Sequence, residues 1–284
     1  MSTAPNSVSL QALPPTRITP PSGWWELHLA ELWQYRELLY FFVWRDIKIR
    51  YKQTAIGAAW VVLQPLLPMV IFTLFFGKLA HISSNGLPYP IFYMSALLPW
   101  LYFAGALQNA TNTIVENQRV ITKVYFPRLA LPLAAILPGI LDFCIGIAVY
   151  AVMMAIYHIA PTAAILFAPA LLLLVVATAF GAGLWLSALN ALYRDVRYVL
   201  PSLITFWMFA SPVAYASSLV PVRFQWLYGL NPMVGVIEGF RWSLTGQGRA
   251  PIELILVAAA VTFLLTAGGL VYFQRMETKI ADMV

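Results

Sequence analysis

Six stretches of the chain are apolar for close to the length a helix needs to cross a bilayer, and short polar turns separate them. A hydrocarbon core about 30 Å thick takes roughly 20 residues of helix. Spans are therefore expected at about 56–77, 91–110, 129–157, 163–189, 198–215 and 252–273. The first carries Gln64, Pro65 and Pro68, and the third Pro132 and Pro138. Prolines at these positions predict kinks, because each removes a backbone donor and crowds the preceding turn.

Two regions depart from the spanning pattern. Residues 216–250 are rich in Trp, Phe and Leu but are broken by Pro221, Arg223, Gly229, Asn231, Pro232, Glu238, Gly239 and Arg241. Neither half reaches spanning length, which predicts short re-entrant or interfacial helices. Between Trp24 and Trp44, helical spacing puts Glu26, Glu31, Gln34 and Glu37 on one side and Trp25, Leu29, Leu32, Leu39 and Val43 on the other. Such a helix suits the membrane surface, although packing against a soluble partner would need the same face.

The predicted fold is therefore an all-α integral membrane protein of six transmembrane helices, with an N-terminal interfacial amphipathic helix and short re-entrant helices between spans five and six. Residues 1–23, with Pro5, Pro14, Pro15, Pro20 and Pro21, read as a flexible cytoplasmic tail. Residues 24–54 hold the surface helix and a basic elbow, and residues 55–284 the transmembrane domain.

Composition agrees: 61 % of residues are hydrophobic and 10 % charged, outside soluble proportions. The net charge of +6 has its explanation in topology rather than nucleic acid, since no basic face lies on a soluble module. Arg45, Lys48, Arg50 and Lys52 form a cationic collar, after which no ionisable side chain occurs from Thr54 to Gly77. Most further cations fall in the loops 111–128 and 190–197 and beyond 273, on the same predicted side. The positive-inside rule then places both termini on the cytoplasmic side. Within the collar, Ile47, Ile49 and Tyr51 alternate with charges, which fits an extended elbow as well as a bent helix; a break is expected close to Thr54. Cys144 is the single cysteine, so no internal disulfide forms, and the N-terminus lacks the pattern of a cleavable signal.

No phosphate-binding loop, zinc motif or nucleophile elbow occurs, and His28, His81 and His158 lie in separate segments. A conduit that borrows energy from elsewhere fits better than an enzyme. Asp142 is the one acid deep within a span; it marks a pathway or a bundle-internal hydrogen bond, and the second is adopted because the sequence identifies no basic partner. Glu238 and Arg241 share a helical face and can form an ion pair. Tyr89, Tyr93, Trp100, Tyr102, Tyr215, Trp226 and Tyr228 cluster near the predicted outer boundary. Aromatics there are ordinary interfacial anchors or stacking surfaces for sugar rings.

The motifs RDIKIRYKQTAIGAAWVVLQPL (Arg45 to Leu66), LLPWLYF (Leu97 to Phe103), NQRVITKVYFPRLALP (Asn117 to Pro132), ALYRDVRYV (Ala191 to Val199) and LNPMVGVIEGFRWSL (Leu230 to Leu244) stand in order along the chain. Together they resemble the membrane subunit of type-two ABC exporters of polysaccharides, the O-antigen, capsule and teichoic-acid permeases. The resemblance implies a homodimer with the channel between subunits. It implies two copies of a separate ATPase subunit, which use ATP and magnesium while this chain binds no cofactor or metal, and a lipid-linked polysaccharide as substrate. It also implies a bacterial inner-membrane location, a short cytoplasmic helix with Glu116, Asn117, Arg119, Lys123 and Arg128 that docks on the ATPase, and an extracellular gate with Asn231, Pro232, Glu238 and Arg241. Arg119 and Lys123 stand one helical turn apart, as such a helix requires. An exporter of a drug or other lipid-linked product is the alternative within the family. A membrane-embedded glycan transferase is the alternative outside it.

Overall fold

The computed structural model describes residues 29–52 and 57–283, and among these every regular element is helical. In chain order they are α1 (Leu29–Gln34), α2 (Arg36–Lys52), α3 (Gly57–Phe72), α4 (Tyr89–Glu116), α5 (Gln118–Ile121), α6 (Ala130–Ile136), α7 (Gly139–Ile156), α8 (Ala168–Leu192), α9 (Val196–Phe209), α10 (Val222–Gly229), α11 (Pro232–Thr245) and α12 (Ile252–Met283). Among the described residues, five segments are long and apolar enough to cross a membrane: Ala59–Leu79, Tyr89–Glu116, Ala130–Ile156, Ala163–Leu192 and Ile252–Glu277.

The fifth expected span differs. At 14 residues, α9 is about 21 Å long, less than a hydrocarbon core. It stops at Phe209 because the chain turns there and tucks Ser211, Val213, Ala214 and Ala216 into the core. The expected bends are present in part. The third span is split into α6 and α7 around Leu137 and Pro138, whereas α3 runs through Pro65 and Pro68 and widens into a π-helical turn at Thr73–Leu79. The collar is helical: α2 continues without interruption to Lys52, which settles the elbow against an extended strand. The break expected near Thr54 lies outside the described residues, as do the tail at 1–23 and Trp24 to His28.

The most central helix among the spans is α4. Its most apolar stretch is 78 % buried, against 6 % for Ala59–Leu79. Pro90 within its first turn suits a helix start, where a backbone donor is unpaired anyway. Small residues let neighbouring helices close on this centre. A Cβ on Gly183 would stand 2.7 Å from Ala110 of α4, and one on Gly181 would stand 2.5 Å from Thr266 of α12. Polar groups tie the same three helices. Asn190 donates to the Thr111 carbonyl at 3.0 Å, the Thr178 and Thr262 hydroxyls lie 2.8 Å apart, and the Trp185 indole donates to the Leu265 carbonyl at 3.0 Å.

The interrupted region becomes α10 and α11. The Asn231 side chain accepts from the Met233 amide at 3.1 Å, Pro232 opens the helix, and Gly246 ends it at φ 66°, donating to the Trp242 carbonyl. These are the residue types that helix ends select. Gly235 brings α11 against α12 so closely that a Cβ would lie 2.2 Å from the Leu254 carbonyl oxygen. Most of α11 is buried, including Met233, Val236, Ile237 and Phe240.

Candidate functional site

Charged and amide side chains gather at three places along α4. At its Asn117 end, the Arg45 guanidinium donates to the Asn117 side-chain oxygen at 3.0 Å and to Asp46 at 2.8 Å. Arg45 also stands over the Phe42 ring at 5.1 Å, and Phe42 in turn packs on Phe126 with ring centroids 5.8 Å apart. This seats the inward face of α2, with Leu39 and Val43, on the chain that follows α5. Arg128 donates to the Glu277 carbonyl, and its backbone amide to the Glu277 carboxylate at 3.3 Å, so α12 closes the same end.

The segment Glu116 to Arg128 differs from the helix expected there. Only one turn, Gln118–Ile121, is helical; Thr122 and Lys123 form a turn, and the chain then extends to Pro127. Phe126 and Pro127 need that extension to reach their buried seats. Asn117 is buried and caps the end of α4, donating from its amide to the Thr113 carbonyl at 2.8 Å, while Glu116, Arg119 and Lys123 are exposed.

Further along, Asp142 of α7 meets two partners, Arg50 and Tyr51 at the end of α2, and Arg50 is the basic partner that the sequence does not identify. The pairing spans more than ninety residues of sequence, so no local spacing announces it. Burial, and then the hydrogen bond to Asp142, push the Tyr51 phenol above its ordinary value. Lys48 lies over Trp44 at 5.2 Å, and Lys52 is exposed. Beside the Asp142 cluster is a cavity of about 490 Å³ among α3, α4 and α7, lined by Arg50, Trp60, Gln64, Tyr102, Asn109 and Asp142 together with apolar side chains.

At the Tyr89 end of α4, Glu238 and Arg241 form the ion pair that their spacing predicts, at 2.7 Å. Arg241 is 5 % exposed; it donates a second bond to the Pro212 carbonyl at 2.6 Å and stacks over Phe92 at 3.9 Å. Asn231 gathers three further groups: the Trp207 indole donates to it at 2.9 Å, and its amide donates to Ser211 at 2.9 Å and to the Ala210 carbonyl at 3.2 Å. The pair and this cap hold α11 against the turn that follows α9.

The predicted aromatic positions divide. Tyr89, Tyr93, Trp100 and Tyr102 are buried inside the subunit, Tyr89 donating to the Ala214 carbonyl at 2.7 Å and Tyr102 to the Ile136 carbonyl at 3.2 Å. Tyr215 and Tyr228 join hydroxyls at 3.2 Å, and Trp226 is exposed. Sequence reasoning missed Tyr51, Trp60 and Trp207 as site residues. It marked Gln64 only as a polar residue within the first apolar run, which is the signal that could have found the cavity.

A bundle of long apolar helices, with charged pairs near both ends of α4 and beside one cavity, defines a polytopic membrane protein. Residues 37–245 match the ABC-2 type transporter family, and the chain belongs to it. Among curated relatives, the O-antigen export system permease protein RfbA of Myxococcus xanthus is 28 % identical over 260 residues, covering 90 % of this chain and 98 % of that protein. The RfbA permease of Klebsiella pneumoniae is 28 % identical over 249 residues, covering 87 % and 95 %. The polysialic acid transport protein KpsM of Escherichia coli is 25 % identical over 248 residues, covering 84 % and 93 %.

Proposed function

We propose that the chain is the permease subunit of an ATP-driven exporter that moves a lipid-linked polysaccharide across the bacterial inner membrane. The observation that carries this reading is similarity along nearly the whole chain to permeases named for O-antigen and polysialic acid, two different polysaccharides. The shared task is then polymer export rather than recognition of one sugar.

In this reading two copies form the conduit, and a separate ATPase subunit sits beneath each and supplies ATP hydrolysis. The exposed cations Arg119 and Lys123, on the turn that follows α4, are the docking contacts for that ATPase. With both termini cytoplasmic, the Asn117 end of α4 faces the cytoplasm and the Tyr89 end faces outward. The chain crosses six times, with α9 and the turn after it as the fifth passage, α2 along the inner surface, and α10 with α11 as re-entrant helices on the outer side. Glu238 and Arg241, with Asn231 and Pro232, brace an outer gate, and Tyr215, Trp226 and Tyr228 lie closest to its mouth.

Deleting the gene and locating the polymer tests this reading. Export requires polymer to accumulate in the cytoplasm while synthesis continues. Loss of synthesis would instead mark a membrane-embedded transferase, and normal surface polymer would mark an exporter of some other lipid-linked product.

A further inference from the structure

The cavity among α3, α4 and α7 combines features that a lipid-facing pocket would not keep. Its volume of about 490 Å³ falls within the range of roughly 300–1,000 Å³ common for small-molecule sites. Much of the wall is apolar, including Leu98, Leu101 and Phe143. Four polar side chains nevertheless converge on it: Arg50, Asp142, Gln64 and Asn109. Such groups are costly among apolar helices and turn toward water or a polar ligand.

Their combination narrows the ligand. The Arg50 guanidinium only donates, the Asp142 carboxylate only accepts, and the two amides do both. Arg50 and Asp142 are paired, so their charges offset and the cavity selects no net charge. A phosphate would meet the like charge of Asp142, and a hydrocarbon chain would strip water from all four polar groups without replacing it. Trp60, 54 % exposed, adds a flat aromatic face to the lining. Hydroxyls that donate and accept around a ring with an apolar C–H face match this set, and that is the chemistry of a sugar unit.

We propose that the cavity is a carbohydrate subsite: one sugar unit of the polymer stacks on Trp60 while its hydroxyls bond to Asp142, Arg50, Gln64 and Asn109. The proposal rests on the polysaccharide reading above and adds to it where the polymer is held. On α4 the lining runs from Leu98 to Asn109, and the polar edge of the site lies toward the Asn117 end, Asn109 being two helical turns from Asn117. In the proposed orientation this is the cytoplasmic half, where the polymer starts its passage.

Gly105 gives a way to test it. It lines the cavity, and a Cβ added there meets nothing within 4 Å. A side chain at this helical position therefore starts from open space at the cavity wall, and it improves helix propensity.

The photoreactive residue p-benzoylphenylalanine is placed at position 105 in cells that assemble the full transporter and make the polymer, and the cells are irradiated. The expected product is a protein adduct that stains for glycan after periodate oxidation and vanishes when polymer synthesis is blocked. The same probe in place of Phe263, on the exposed face of α12, forms no glycan adduct. An adduct with phospholipid alone, no adduct, or glycan adducts at both positions would overturn the proposal.

In parallel, Gly105→Leu lowers export by roughly tenfold or more while the purified complex stays assembled, and Ala148→Leu, on the exposed face of α7, exports normally. Normal export by Gly105→Leu also refutes the subsite. If deleting the whole chain leaves export intact, the transport reading falls and the subsite with it; if deletion stops export but Gly105→Leu does not, the subsite alone falls.

Discussion

Arg45 and Asn117, 72 residues apart in sequence, are joined by a hydrogen bond of 3.0 Å that fastens α2 to the end of α4. A bond from a charged donor contributes about 1.5–3 kcal/mol when half-buried. Arg45→Ala and Asn117→Ala are each expected to lower the melting temperature of the purified protein. The double variant should lose less than the sum of the two, because partners in one bond couple by roughly 0.5–3 kcal/mol. Strictly additive losses would show that the two residues act separately.

Arg241 is deeply buried and its charge depends on Glu238. Removing one partner of a buried pair costs about 3–5 kcal/mol, since the other charge stays behind in a dry site. Glu238→Ala should therefore sharply reduce the folded fraction recovered in detergent, as read by size-exclusion chromatography. The double variant Glu238→Gln, Arg241→Met should recover part of it, although the Pro212 carbonyl then lacks its donor. Equal recovery of the single and double variants would argue against dependence of one charge on the other.

Arg119 and Lys123 project from the exposed turn after α4. Changing both to Glu reverses two charges at a surface and leaves the fold intact, because surface substitutions usually stay within about 0.5 kcal/mol. The expected result is loss of ATPase co-purification with an unchanged melting temperature. Co-purification at wild-type yield would remove these residues from the docking contact.

Gly235 tests the packing of α11. A methyl group there meets the Leu254 carbonyl, a backbone atom that cannot rotate aside. Gly235→Ala should destabilise by about 1–3 kcal/mol, the usual range for an overpacked core. A melting temperature at or above wild type would mean that α11 and α12 separate without loss.

Apolar run length placed all five of the long spanning segments close to where they lie, because crossing a bilayer demands a length that composition reveals. It was less informative at α9, where Ser211 to Ala216 are as apolar as a span yet turn into the core instead of prolonging the helix. The Glu238 and Arg241 pair was legible because three residues of helix bring the two together. The partners of Asp142 were not, since Arg50 and Tyr51 reach it only after the chain has folded back across α3 and α4. The same limit explains the cavity. Gln64 stood out as a polar residue in an apolar run, but only tertiary packing sets it, with Asn109, beside Trp60 and Asp142. In the segment after α4, charge spacing suggested a helix, while the buried seats of Phe126 and Pro127 hold the chain extended.

The unbroken course of α4 gives the molecule a push-rod. Twenty-eight residues make it about 42 Å long. One end is bolted to α2 through Asn117 and Arg45; near the other, Phe92 lies under the Arg241 guanidinium and Tyr89 holds the Ala214 carbonyl. A rod stiffened by its own hydrogen bonds neither stretches nor shortens under load, and Pro99 is the one interior joint where a backbone donor is missing. A displacement of Asn117 along the helix axis would therefore reach the residues beneath Arg241 through one continuous element.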